Sequence, residues 1–381
     1  MNQARSTLPP SKALHRAMAH WILVTFWLIA SCGIASLPVL GQKKLPARID
    51  SLMQVHKEFS GVILAADFGK ITYHKAFGYR DYAAGKVMDR RDIFELASIS
   101  KTFTAMAVMM LQKEGKLQYD DPLSAYIDLP YPGITIRHLL NHTSGLPDYQ
   151  AIMDKYWDKS RVAGNEDNIE YLRKYAPAAL FRPGEKYEYS NTGYMLLASV
   201  VEKASGQDFI DFCRGRIFRP LRMGKTDIRT LAEKAARKDF ALGHVWVADK
   251  QRYVRADSFP ASNYAIWLGK RKGPGRVSST ARDLLKWDQA LYGNQILSQQ
   301  DIRKAFEPAK LNNDSLSNYG FGWMLEAVPG LGITVWHSGD NPGYRTRLMR
   351  YTGARKTLVV LNNNEYPKLD ALMDALETLL R

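Results

Sequence analysis

An α+β fold is what the sequence predicts: one antiparallel sheet built from the N- and C-terminal segments, flanked by helices, with an all-helical domain inserted between. Three observations carry that reading. Two apolar runs flank a turn near residue 68, four more follow Tyr319, and residues 150 to 310 show helical spacing with no long alternating strand. The 381 residues are 46% apolar and 24% charged, which is ample for a globular core. The expected division is 1–42 ahead of the fold, 43–97 with 319–381 as a sheet lobe, and 98–318 as a mostly helical lobe.

Pro46 to Phe59 places Ile49, Leu52, Met53 and His56 on one helical face. Val62–Ala66 and Ile71–Phe77 flank Asp67-Phe68-Gly69-Lys70, a hairpin with glycine in the turn. Phe94 to Gly115 reads as an extended entry into a buried helix. Phe103, Met106, Ala107, Met110 and Leu111 recur at helical spacing, and Gly115 stands where a left-handed residue ends a helix. Thr135–Asn141 is a short helix leading into His142-Thr-Ser-Gly-Leu146, which reads as a loop buttress. Tyr187–Asn191 is an extended approach to a helix over 193–204, and His244–Tyr253 a short hairpin. Ser278–Asp283 caps a helix that runs to Leu291. Gly320–Glu326, Ile333–His337, Tyr344–Tyr351 and Lys356–Asn362 read as successive antiparallel strands, and Leu369–Leu380 as the closing helix.

The start of the chain has the order of an export signal. Arg5, Lys12 and Arg16 precede an apolar stretch from Trp21, followed by small residues up to Gln42. Ile29-Ala30-Ser31-Cys32 resembles a bacterial lipobox in which Cys32 would be lipidated. Residues 21–40 are also long enough to span a bilayer uncleaved. The expectation is an exported protein, periplasmic or extracellular, with attachment through 21–40 or Cys32 left open. Beyond Cys32 only Cys213 remains, so a buried inert thiol is expected and no intrachain disulfide.

The formal net charge of +15 is dispersed, suiting anionic cell-wall polymers or lipid headgroups, and no basic run alternates with aromatics as in a nucleic-acid strip. There is no His-Glu-x-x-His, no phosphate-cradling glycine loop and no Gly-x-Ser-x-Gly elbow. His138 and His142 are four apart but lack further ligands. Neither metal nor cofactor is expected.

The chemistry is concentrated elsewhere. Ser98 and Lys101 form the one Ser-x-x-Lys pair in the chain, at the start of the buried helix. A serine nucleophile needs a base within hydrogen-bond reach, and this spacing puts both side chains on one face. The amine serves only if neutral. Bringing its pKa from about 10.4 to near 7 requires roughly 4–5 kcal/mol of differential solvation, which calls for burial and neighbouring cations. Tyr189-Ser190-Asn191 offers a phenol to pass protons and an amide to hold a carbonyl. A second Tyr-x-Asn, Tyr292 to Asn294, falls at a helix end as ordinary capping. His337-Ser338-Gly339 lies on a predicted strand, where the glycine would let a substrate backbone lie close.

In that order these three groups resemble the motifs of the penicillin-binding-protein and class C β-lactamase family of serine hydrolases. His142-Thr-Ser-Gly-Leu146, Phe181-x-Pro-Gly184, Pro220-Leu-x-Met223, Ser279-Thr-Ala-Arg-Asp283 and Pro342-Gly-Tyr344 extend the likeness over residues 48 to 381. The resemblance implies the β-lactamase/transpeptidase-like fold, a small-molecule or peptide substrate, and an acyl-enzyme. Ser98 would be acylated, Lys101 would deprotonate it, and Tyr189 would protonate the leaving group. Asn191, His337, Ser338 and Gly339 would contact substrate, and the backbone N–H groups of Ser98 and Asp340 would hold the oxyanion.

Two departures qualify the substrate. Where lysine is usual in the third motif this chain has His337, mostly neutral near pH 7 at its ordinary value of about 6.5. That favours esters, amides or D-amino-acid peptides over β-lactams, with Arg345 or Arg347 as replacement cations. Asp340 would set a carboxylate beside the oxyanion unless it points away. The rival expectation is an inactive homologue that binds cell-wall fragments or a protein partner in the same cleft.

Overall fold

The computed structural model describes residues 44–381; the expectations for the export segment, Cys32 and residues 21–40 lie outside them. The sheet is six-stranded and antiparallel throughout: β1 Gly61–Asp67, β2 Lys70–Phe77, β3 Met324–Val328, β4 Gly332–Asn341, β5 Tyr344–Tyr351 and β6 Lys356–Asn362, in the order β3-β4-β5-β6-β1-β2. Both ends of the chain thus supply one sheet. β1 and β6 are interior strands covered on both faces, which is why they read as continuous apolar runs.

Side-chain alternation sorts the two faces. Ile63, Ala65, Leu358 and Val360 pack under α1 Leu45–Met53 and the C-terminal helix Leu369–Leu380. Val62, Leu64, Val359 and Leu361 join the larger core, which runs on into the helical middle. That core holds α2 Ser100–Lys113, α3 Asn191–Ser205 and α4 Ala281–Ala290; the closing helix is α5. Every residue of α2 from Ser100 to Leu111 is buried, so it is apolar all round rather than on one face. It ends as expected, with Gly115 at φ +71° and the Lys116 N–H bonded to the Leu111 carbonyl.

The β1–β2 hairpin turns through two left-handed residues, Phe68 at φ +47° and Gly69 at φ +76°. This turn matches the right-handed twist of the strands, and the Phe68 ring is left exposed. Other elements depart from expectation for local reasons. α1 stops at Met53 rather than Phe59. β3 begins at Met324, because Gly322 at φ +83° is pressed onto α2, where a Cβ would stand 2.9 Å from the Lys101 carbonyl oxygen. β4 continues past His337 to Asn341, since its ladder with β5 persists through Ser338-Gly339-Asp340, residues of low strand propensity. A small sheet of Phe94–Glu95, Val277–Ser279 and Asp227–Ile228 is too short to show any period. Cys213 is free and fully buried, and burial pushes its thiol pKa up, so it is inert as expected.

Candidate active site

Ser98 does not open α2. It sits in a one-turn 3-10 segment, Ala97–Ile99, just before the helix, with Ala97 at φ +49°. A non-glycine residue there costs on the order of 1–2 kcal/mol, so the surroundings must hold the turn. They do so from two sides. The Leu96 N–H donates to the Val277 carbonyl, and the Val277 N–H donates to Ser100 Oγ at 3.0 Å. Thr346 Oγ1 on β5 donates to the Leu96 carbonyl at 2.9 Å. A Cβ on Gly339 would stand 2.1 Å from that same carbonyl oxygen. The missing side chain of Gly339 thus makes room for the protein's own nucleophile turn.

Lys101 is 0% exposed. Its Nζ lies 3.0 Å from Ser98 Oγ, 2.8 Å from Asn191 Oδ1 and 3.0 Å from the Pro274 carbonyl oxygen. None of these is a carboxylate. Burial holds its pKa well below the ordinary lysine value, and the Arg271 guanidinium pushes the same way. The neutral amine has two N–H donors and one lone pair. Asn191 Oδ1 and the Pro274 carbonyl only accept, so they take the two protons and the lone pair is left for the Ser98 hydroxyl. The three partners thus orient a neutral lysine as a base toward Ser98.

Asn191 is the first residue of α3 rather than part of an extended approach, behind the N-cap Ser190, whose Oγ accepts from the Gly193 N–H at 3.2 Å. Tyr189 precedes the cap, its ring centroid 4.7 Å from Lys101 Nζ. Burial raises the Tyr189 pKa, with Ser98 acting in the opposite sense, so the phenol keeps its proton at neutral pH. The segment is clamped by His142, which is fully buried at φ +59°. Its carbonyl accepts from the Glu188 N–H and its Nδ1 from the Ser190 N–H at 3.0 Å. Its ring packs 4.4 Å from Tyr189 and 4.5 Å from Tyr319 between centroids, as a buttress should. Burial also keeps the His142 pKa well below ordinary, so the ring is neutral.

His337 is turned inward, against the expectation of a substrate contact. It is 2% exposed. Nδ1 donates to the Ser338 carbonyl at 2.6 Å, and Nε2 accepts from the Tyr319 hydroxyl at 3.0 Å. Both ring nitrogens are therefore spent within the protein, and burial pushes the pKa down to about 3. Ser338 is half-buried beside it on β4. The Asp340 side chain is 77% exposed and points away toward Arg345, 3.8 Å distant. Arg345 and Arg347 both pair with Asp370 on α5, so neither supplies a cation to the site. The buried cation whose charge acts on Lys101 is Arg271.

Sequence reasoning missed Pro274, Tyr319 and Arg271. Pro274 contributes a backbone carbonyl, which no side-chain pattern reveals, though Gly273-Pro-Gly275 does mark an irregular loop. Tyr319 and Arg271 act through partners far away in the chain.

Comparison with known proteins agrees with this geometry. The beta-lactamase family model matches residues 45–380. Penicillin-binding protein 4* of Bacillus subtilis is 41% identical over 326 residues, covering 85% of this chain and 72% of that protein. A D-aminopeptidase of Brucella canis is 26% identical over 345 residues; that is 90% of this chain, which spans 64% of the relative's length. A penicillin binding protein from Bacillus halodurans superposes with a TM-score of 0.74 at 27% identity, covering 86% of this chain and 98% of that one. D-amino acid amidase from Ochrobactrum anthropi SV3, at 24% identity and a TM-score of 0.70 over 88% of this chain and 97% of its own, shares the fold. With its nucleophile turn, its buried lysine and this likeness over nearly its whole described length, the chain belongs to the beta-lactamase family of serine hydrolases.

Proposed function

We propose that this chain is an exported hydrolase that cleaves an ester, amide or D-amino-acid peptide through an acyl-enzyme on Ser98, with β-lactams as poorer substrates. The observation that carries the reading is the buried Lys101, held by a hydroxyl, an amide and a carbonyl with no carboxylate partner. The relatives named penicillin-binding protein and D-aminopeptidase support the substrate range. The basic, apolar and small-residue order of residues 1–42 supports export.

In this reading Ser98 Oγ attacks the substrate carbonyl carbon, its proton passes to Lys101 Nζ, and the carbonyl electron pair moves onto oxygen. The backbone N–H groups of Ser98 and Asp340 hold that oxyanion; one such donor is worth about 10²–10³ in rate. The tetrahedral species collapses, the bond to the leaving nitrogen or oxygen breaks, and the leaving group takes the Tyr189 phenolic proton. The Lys101 ammonium then returns a proton to the phenol oxygen. Water attacks the acyl carbon, yields its proton to the same lysine–tyrosine pair, and expels Ser98, which recovers its hydrogen. Asn191 keeps Lys101 oriented and turns its amide N–H groups toward the acyl carbonyl.

The test is intact-protein mass after incubation with a fluorophosphonate, alongside Ser98→Ala, followed by turnover of p-nitrophenyl acetate and nitrocefin. The expected result is one adduct that Ser98→Ala abolishes, with ester turnover exceeding nitrocefin turnover. A folded protein that forms no adduct would overturn the acyl-enzyme, and faster nitrocefin turnover would overturn the substrate preference.

A further inference from the structure

The guanidinium of Arg271 is placed unlike that of an ordinary structural arginine. The residue is 3% exposed, yet no carboxylate pairs with it among the described residues. Of its five N–H donors, the protein uses one, from Nη1 to the buried Tyr149 hydroxyl at 2.9 Å. Nε is buried with no partner, and Nη2 bonds to no described residue. The Tyr264 ring covers one face, 5.4 Å from the guanidinium carbon. Two carboxylates feel the Arg271 charge without bonding to it: Glu95, already engaged by Lys234 and by the Asn341 amide at 2.6 Å, and Asp148, which caps its own helix through the Gln150 N–H. Arg350 shows the contrasting, ion-paired case: it is also buried but is joined to Asp288 at 2.6 Å.

Position gives this unsatisfied cation a role. A methyl group on Gly275 would stand 3.2 Å from Arg271 Nη2 and 4.0 Å from the carbonyl oxygen of Ala97, the residue before Ser98. The neighbouring Pro274 carbonyl is the one that accepts from Lys101. The guanidinium thus lies beside the loop 273–275 that packs against the nucleophile turn. A charge held there without an anion is disfavoured unless a ligand completes it, and the planar fork suits a carboxylate.

We infer that Arg271 receives a carboxylate of the substrate, so that among esters, amides and D-amino-acid peptides the preferred compounds are acidic ones. This rests on the acyl-enzyme reading and narrows it. Ligand binding would give the Nη2 N–H groups the charge-assisted N–H···O partners that the protein does not supply. Because Arg271 also depresses the Lys101 pKa, a purely electrostatic role is the alternative to be separated.

The experiment compares kcat and KM for two matched pairs of substrates. In one pair a peptide with a free C-terminal carboxylate is set against its carboxamide; in the other a succinyl ester is set against an acetyl ester. Each is measured on the wild type, Arg271→Gln and Arg271→Lys across pH 6 to 10, with fluorophosphonate labelling of Ser98 on every protein. The expected result is a wild-type preference for the acidic member of one pair, mostly in KM. Arg271→Gln should cut that preference by about 30- to 100-fold, while the neutral member falls only a few-fold, and Arg271→Lys should recover part of it. Equal losses on acidic and neutral members, with only a shifted pH profile, would overturn carboxylate binding, as would no preference in either pair. Labelling keeps the two readings apart: no wild-type adduct sinks the acyl-enzyme, whereas an adduct without charge preference sinks only the role of Arg271.

Discussion

Two lysines in this molecule are buried almost equally and end in opposite chemical states. Lys234 is 7% exposed and its Nζ pairs with Glu95, which also accepts from the Asn341 amide. Burial pulls the Lys234 pKa down, but Glu95 opposes the shift. Burial likewise works against the Glu95 carboxylate, yet Lys234 and Arg276 outweigh it and hold its pKa below ordinary. The pair stays ionised and ties the segment 231–235 to the strand ahead of the nucleophile turn. Lys101 lies six residues beyond Glu95 and has a hydroxyl, an amide and a carbonyl instead. The difference between a structural tie and a base is a single carboxylate, and both ends of that comparison can be broken.

Glu95→Gln should have the larger effect. It keeps the shape and the Asn341 contact but leaves the Lys234 charge buried and unpaired, which typically costs roughly 3–5 kcal/mol. The urea midpoint should fall accordingly, and Glu95→Gln with Lys234→Met should recover most of the loss. A single variant as stable as the wild type would show that the pair is not ionised. The converse change is Asn191→Asp. It places a carboxylate 2.8 Å from Lys101 Nζ with almost no change in volume, turning the base into a second Lys234. Ester turnover at pH 7 should fall about 10²–10³-fold, a loss of roughly 3–4 kcal/mol. The acidic limb of the pH–rate profile should move upward, so that part of the activity returns near pH 9–10. A uniform loss at every pH would instead mean that Asn191 acts through substrate contact alone.

Two histidines extend the comparison to acid. His142 and His337 are buried and neutral, both with depressed pKa values, His337 near 3. Above about pH 6.5 neither the folded nor the unfolded chain protonates them, and full stability is present. Below that, the unfolded chain takes up protons the native state refuses. Stability therefore declines as the pH falls, until native His337 itself protonates near pH 3. His337 alone should lower the stability read from the urea midpoint by roughly 2.5 kcal/mol between pH 7 and pH 4.5, with His142 adding in the same direction, and His337→Asn should flatten that slope. An unchanged slope would place the acid sensitivity elsewhere.

Much of this site was legible because its information is local. Ser98 with Lys101, and Tyr189 with Asn191, are each set by spacing along one turn or one cap, and the strand runs near both ends marked the sheet. What was not legible depends on distant residues. His337 read as a substrate contact until Tyr319 took its Nε2, and Gly339 gave no sign of the Leu96 carbonyl packed against it. The left-handed Ala97 had no signal either, because alanine carries no preference for that conformation; it is imposed by Val277 and Thr346. The positive charge was sought on β5, where Arg345 and Arg347 face α5, whereas the buried Arg271 lies in a loop to which sequence reasoning assigned no element.

The smallest effect is expected at Asp340, and it tests whether backbone or side chain matters at the proposed oxyanion position. In the proposed mechanism the residue would give the site only its N–H; its carboxylate is 77% exposed and lies 3.8 Å from Arg345. An exposed pair of that kind is worth about 0–1 kcal/mol. Asp340→Asn keeps the backbone and the ladder with Arg345, so kcat/KM for a neutral ester should stay within about threefold of wild type. A gain above tenfold would mean that the carboxylate does oppose the oxyanion, and that the outward rotamer is not the one that governs turnover. Asp340→Pro separates the two possibilities from the other side. It removes the N–H while leaving no carboxylate, and if that donor holds the oxyanion, Ser98 should still label slowly with fluorophosphonate while turnover falls about 10²–10³-fold.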